Sequence, residues 1–140
     1  MTATDIPTDV TPLGDPIPQD AAQVQRDLLD TLLLILDVEG VNAQLISRVW
    51  VEAKSGASSS VERRWHPPQL IIYADGGWRV ATVSIGPRSG CYAVELAQIG
   101  PGNQPLADRI EVVPVNKPSR VARLIAQNKR YQRGHVSEAS

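Results

Sequence analysis

Three side chains in this 140-residue chain could serve as metal ligands or as a nucleophile–base pair: His66, His135 and the single cysteine, Cys91. A structural zinc needs four nitrogen or sulfur donors, and a catalytic zinc three that converge. These three are dispersed along the chain with no close spacing between any two, so no metal is expected. Cys91 beside His66 would make a thiolate nucleophile. However, Cys91 opens the apolar run "CYAVELAQI", 91–99, where a small packing cysteine is the ordinary role. There is no G-x-S-x-G elbow. The carboxylates of the middle region (Glu52, Glu62, Asp75, Glu95, Asp108, Glu111) form no evident acid/base pair. "GPRSG", 86–90, carries Arg88 at its tip. A phosphate loop would run into a helix, whereas this one runs into a strand pattern and reads as a hairpin turn. The expectation is a non-enzymatic protein with no catalytic residues, no metal, no cofactor and no small-molecule substrate.

The residue types that remain suit association. "ERRWHPP", 62–68, places Arg63, Arg64 and Trp65 ahead of Pro67 and Pro68. The prolines hold the backbone extended, which puts these side chains at a strand entrance on the rim of a sheet. Arginine and tryptophan are the favoured anchors of protein interfaces, so the three form a candidate interface. Leu34 is a fourth member, because it falls among Asp27, Asp30 and Asp37 on the polar side of a helical pattern.

The charge is split along the chain. Residues 1–40 hold eight acids against Arg26, a balance of −7, and residues 117–140 hold six bases against Glu138, a balance of +5, in a chain of net −1. Opposite ends of this kind join within one subunit or between subunits. Arg120, Arg123, Lys129, Arg130 and Arg133 are also candidates for nucleic-acid phosphates or an acidic partner. The sequence pI of about 6.1 is low for a nucleic-acid reader.

These residues must be carried by a small α+β domain. Residues 1–19, with Pro7, Pro12, Pro16 and Pro18, read as an extended arm. A helix follows, capped by Asp20 with Gln23 three residues on. Its inward stripe is Val24, Leu28, Leu32, Ile35 and Leu36, widened by Leu29 and Leu33, and Gly40 or Asn42 ends it. "LISRVWVEA", 45–53, alternates as one strand, and "SGASSS", 55–60, is a loop. "QLIIYA", 69–74, has the continuous apolar character of a strand covered on both faces. "DGG", 75–77, is a hairpin signal. "WRVATVSI", 78–85, "CYAVELAQI" and "RIEVVPV", 109–115, complete an antiparallel sheet of about five strands, with Pro114 marking the last as an edge. A second helix, 116–133, turns Val121, Leu124, Ile125 and Asn128 inward. The single domain spans 20–133, and 134–140 is a polar tail.

The order arm, helix "QVQRDLLDTLLLIL", strands from 45 to 115 and closing helix is similar, as architecture, to the small neck and tail proteins of long-tailed phages, the tail terminators and head–tail connectors. That resemblance implies a non-enzymatic virion subunit working in many copies, with protein–protein contacts to itself or to other subunits. The alternatives are a nucleic-acid binder using the basic helix, and a small adaptor or immunity protein with one partner. The N-terminus has no signal-peptide character, and "LLLIL", 32–36, is too short to span a bilayer. A cytoplasmic protein, or a virion one in the phage case, is therefore expected, with no membrane partner.

Overall fold

The computed structural model describes residues 16–54 and 60–139. The first fifteen residues of the arm, most of the 55–60 loop and Ser140 lie outside them. Helix α1, Gln19–Val38, leads into strands β1 (Asn42–Ile46), β2 (Val49–Lys54), β3 (Ser60–Trp65), β4 (Gln69–Tyr73), β5 (Arg79–Ile85), β6 (Tyr92–Ile99) and β7 (Pro105–Val113). Helix α2, Pro118–Ala139, closes the chain. The main sheet has the order β1-β4-β5-β6-β7, antiparallel throughout, and β2 pairs with β3 separately. The fold is α+β, with a helix before the sheet and a helix after it.

Helix α1 starts two residues earlier than the capping-box pattern predicts. Pro18 is its N-cap, with no side-chain cap, and the Pro18 carbonyl accepts from the Ala22 N–H at 3.0 Å. Asp20 sits in the first turn, where its charge complements the helix dipole. Gln23 donates instead to Asp27. The C-terminus is a Schellman turn: Val41 N–H donates to Leu36 O and Gly40 N–H to Asp37 O, with Gly40 at φ 73. A side chain at Gly40 would strain that conformation.

Ala22, Leu29, Leu32 and Leu36 are buried, each of the three leucines contributing roughly 1.5–3 kcal/mol. Val24, predicted to point inward, is exposed. The face that packs best runs through Ala22 and Leu29, and this rotates Val24 out.

The predicted strand 45–53 is broken at Ser47–Arg48. Opposite the break stand Pro67 and Pro68, which have no N–H to continue a ladder. The joint is closed by His66 N–H donating to Arg48 O at 3.0 Å. The chain therefore makes one long hairpin in two parts: β1 with β4 inside the sheet, and β2 with β3 beyond it.

Both helices lie on one side of the sheet, α1 over β1, β4 and β5, and α2 over β5, β6 and β7. Between them and the sheet sit Leu70, Ile72, Val83, Tyr92, Val94, Leu96, Val121 and Ile125. The Tyr92 hydroxyl donates to Leu28 O at 2.8 Å, tying α1 to β6, and burial raises its pKa. "QLIIYA" is covered on one face only: Leu70 and Ile72 are buried, whereas Ile71 between them is partly exposed. The "DGG" and "GPRSG" turns form as read, with Gly77 and Gly90 at positive φ. β7 is an edge strand, but it ends at Val113 and leaves Pro114 outside it. α2 runs past Gly134 into the segment read as a tail.

Candidate interaction surfaces

Arg63, Arg64 and Trp65 lie within β3, not at the entrance to a strand, and pair with Val51, Trp50 and Val49. The Arg63 side chain is outside the described residues. Arg64 is exposed and Trp65 half-buried. The free edge of β3 at Trp65 takes up the end of the arm. Ile17 N–H donates to Trp65 O at 2.6 Å and Trp65 N–H to Ile17 O at 3.2 Å. Pro16, Ile17, Pro18 and Arg64 surround a hollow of about 290 Å³ there. The rim is thus paired, through a single bridge, by Ile17 at the end of its own arm.

Leu34 is exposed, as predicted, and it is not isolated. Val24, Leu34 and Val38 are 60%, 68% and 88% exposed. With Asp20, Asp27 and Thr31 they form a stripe spaced at alternating intervals of four and three residues, turned away from the core. On α2 the stripe turned away from the core is Arg120, Arg123, Gln127 and Arg130, all exposed, with exposed Arg133 beside it. Lys129 does not join them: it is largely buried and lies 3.8 Å from Asp75. Among the described residues no ion pair joins α1 to α2.

The second face of the sheet was not anticipated. Register places Gln44, Ile71, Thr82, Glu95 and Ile110 in one row across it, and Ser84, Ala93 and Val112 in the next. Among the described elements none packs on this face. Ile110 and Val112 stand 62% and 58% exposed at the β7 edge. Beside them Arg79 donates to Asp108 at 2.6 Å and to Thr82 at 3.2 Å.

Burial, and secondarily the Asp108 charge, raise the Glu95 pKa above 4.5, against the opposing pull of Arg79. The fold therefore prefers neutral Glu95. Its contribution to stability is complete below the ordinary value of 4.5 and is lost as pH rises through the raised one. Glu95→Gln should melt higher than wild type at neutral pH and converge with it in acid. Parallel melting curves of the two proteins across pH would refute this.

A cleft of about 430 Å³ opens between Trp78, Arg79, Gln98, Ile99, Pro105 and Gln132. The polar side chains of Trp78, Arg79, Gln98 and Gln132 are tied to the fold. Trp78 Nε1 donates to Gln132 Oε1 at 3.1 Å, and Gln132 Nε2 donates to the Arg79 and Ala97 carbonyls. The indole lies so close over Gly76 that a Cβ there would overlap it. Cys91 lies on a turn, half-buried, with its thiol toward Ser89 O, and the core place beside it is taken by Tyr92. Among the described residues no three His, Cys, Asp or Glu side chains cluster as a metal site. No described helix is long and apolar enough to cross a membrane.

These features define a two-layer α+β protein with both helices on one face of the sheet and a second face on which none of the described elements packs. No protein-family model, curated protein or solved structure matches the chain.

Proposed function

We propose that this protein is a non-enzymatic structural component, a subunit of a multi-copy assembly in the manner of phage neck and tail proteins. The observation that carries the reading is the placing of exposed apolar residues on two opposite sides of a two-layer molecule. Val24, Leu34 and Val38 lie on the outside of the helix layer, and Ile110 and Val112 on the outside of the sheet. Clustered exposed apolar side chains mark contact surfaces. A protein with one partner needs one such surface, whereas a subunit with neighbours on both sides needs two. The Trp78 cleft, where Trp78, Arg79 and Gln132 are already bonded within the fold, supports the non-catalytic reading.

The basic stripe on α2 favours one second reading, phosphate binding by Arg120, Arg123, Arg130 and Arg133. That reading requires affinity for duplex DNA or RNA that falls steeply with salt.

The test of the assembly reading is the mass of the full chain in solution, by sedimentation equilibrium over a range of concentrations. The expected mass is a multiple of 15.2 kDa. Ile110→Asp with Val112→Asp, both exposed on the second face of the sheet, should lower it while the melting temperature holds. A wild-type chain that stays at 15.2 kDa throughout overturns the reading.

A further inference from the structure

We propose that the outer faces of α1 and α2 together form a self-complementary surface on which a second copy of this chain docks, with α1 of each protomer against α2 of the other. This deepens the assembly reading and rests on it. The charges of the two helices are opposite. α1 carries Asp20, Asp27, Asp30 and Asp37 against Arg26, while α2 carries Arg120, Arg123, Lys129, Arg130 and Arg133, with no acid before Glu138. Both helices pack on the same side of the sheet and touch each other. Their outward stripes therefore share one surface, acidic and apolar on one half and basic on the other.

Inside one chain this opposition is left unused, since among the described residues no ion pair links the helices. A two-fold axis through that surface sets each acidic stripe over a basic one, and does so twice, as an isologous contact requires. Two copies of α1 facing each other would instead set aspartates against aspartates. The apolar residues fit the same arrangement. Arginine stems cover apolar surface while their charged heads reach outward, so Arg123 and Arg130 can lie along Leu34 and Val38 with their guanidiniums toward Asp27 and Asp37.

The size is adequate. A helix of 20 residues is about 30 Å long, and two helices side by side present a face about 20 Å wide. Some 600 Å² per copy, or about 1,200 Å² in all, lies at the lower bound of specific interfaces. A contact this small, held largely by charge, should weaken with added salt.

The experiment uses two full-length variants, Asp27→Lys with Asp37→Lys, and Arg123→Glu with Arg130→Glu, studied alone and mixed. All four positions are exposed, and circular dichroism melting checks that both variants fold. Each variant alone should self-associate at least about tenfold more weakly than wild type, because lysine then meets arginine or glutamate meets aspartate. The equimolar mixture should recover wild-type association, since in the mixed dimer every contact again joins opposite charges. Recovery on mixing supports the proposal. Failure to recover, or variants as tightly associated as wild type, overturns it. If the charge variants keep the wild-type mass while Ile110→Asp with Val112→Asp lowers it, helix docking fails and the assembly reading stands. A wild type that is monomeric throughout removes both. If Arg123→Glu with Arg130→Glu abolishes binding to a duplex DNA probe without changing the mass, helix docking is overturned in favour of phosphate binding.

Discussion

Asn128→Leu should lower the melting temperature by roughly 10 °C, although the replacement keeps the number and branching of the side-chain heavy atoms. Asn128 is buried on α2 and joins three elements. Its Nδ2 donates to Val80 O on β5 and to Ala97 O on β6, both at 3.0 Å, and its Oδ1 accepts from Gln98 Nε2 at 3.3 Å. The register of β6 against β7 shifts between Leu96 and Gln98, which leaves the backbone at Ala97 dependent on side chains from α2. Leucine fills the space but offers no hydrogen bond. Val80 O then loses its side-chain donor, while Ala97 O keeps Gln132 Nε2 and Gln98 Nε2 keeps the Leu96 and Ala97 carbonyls. One buried group left short and two bonds lost from shared acceptors and donors amount to about 3 kcal/mol. Gln127→Leu, one residue earlier and exposed, serves as the control and should fall within about 0.5 kcal/mol of wild type. Thermal melting of both proteins decides the matter. If the two variants melt alike, Asn128 is a bystander and α2 is held by Val121 and Ile125 alone.

Leu34→Lys should separate association from folding. Leu34 is 68% exposed on α1, two residues from the fully buried Leu32, so the isolated chain should keep its stability within about 0.5 kcal/mol. In the proposed contact the same leucine is buried against the stems of α2 arginines from another copy. Losing that burial forfeits about 1.5–3 kcal/mol, or about 10- to 100-fold in association. Lysine is the informative replacement because it also sets like charge against the partner's arginines, whereas aspartate would offset the loss with attraction. Sedimentation and melting are to be measured on the same samples. A variant that melts well below wild type would mean that Leu34 supports the monomer. A variant with wild-type mass and stability would mean that nothing docks on this stripe.

Wherever one short-range physical rule acts alone, the linear pattern was enough. The helical period put Leu29, Leu32 and Leu36 on the inward side, and Gly40, able to adopt positive φ, was one of the two stops offered for α1. Asp75-Gly76-Gly77 and Gly86-Pro87-Arg88-Ser89-Gly90 specified hairpins, and Asn128 was legible as an inward residue. Leu34 could be picked out because an apolar residue between aspartates breaks the helical pattern. Composition and charge order likewise set an acidic first helix against a basic last one.

What the linear pattern did not contain depends on partners distant in sequence. The break at Ser47–Arg48 comes from Pro67 and Pro68 on the opposite strand, which withhold N–H groups from a ladder that looks continuous in one dimension. The inward direction of α1 was rotated by packing against the sheet, which exposed Val24 and aligned it with Leu34 and Val38. Alternation along β6 and β7 defines two faces but not which one the helices cover. That was decided when α1 and α2 settled on the side of Val94 and Leu96, and it left Ile110 and Val112 in solvent. The pairing of Ile17 with Trp65 joins residues separated by most of the hairpin and all of α1. Local sequence sets which side chains alternate and where the backbone can turn. Which of the resulting faces stays open is set by long-range packing, and the surfaces proposed here for association are those that packing left uncovered.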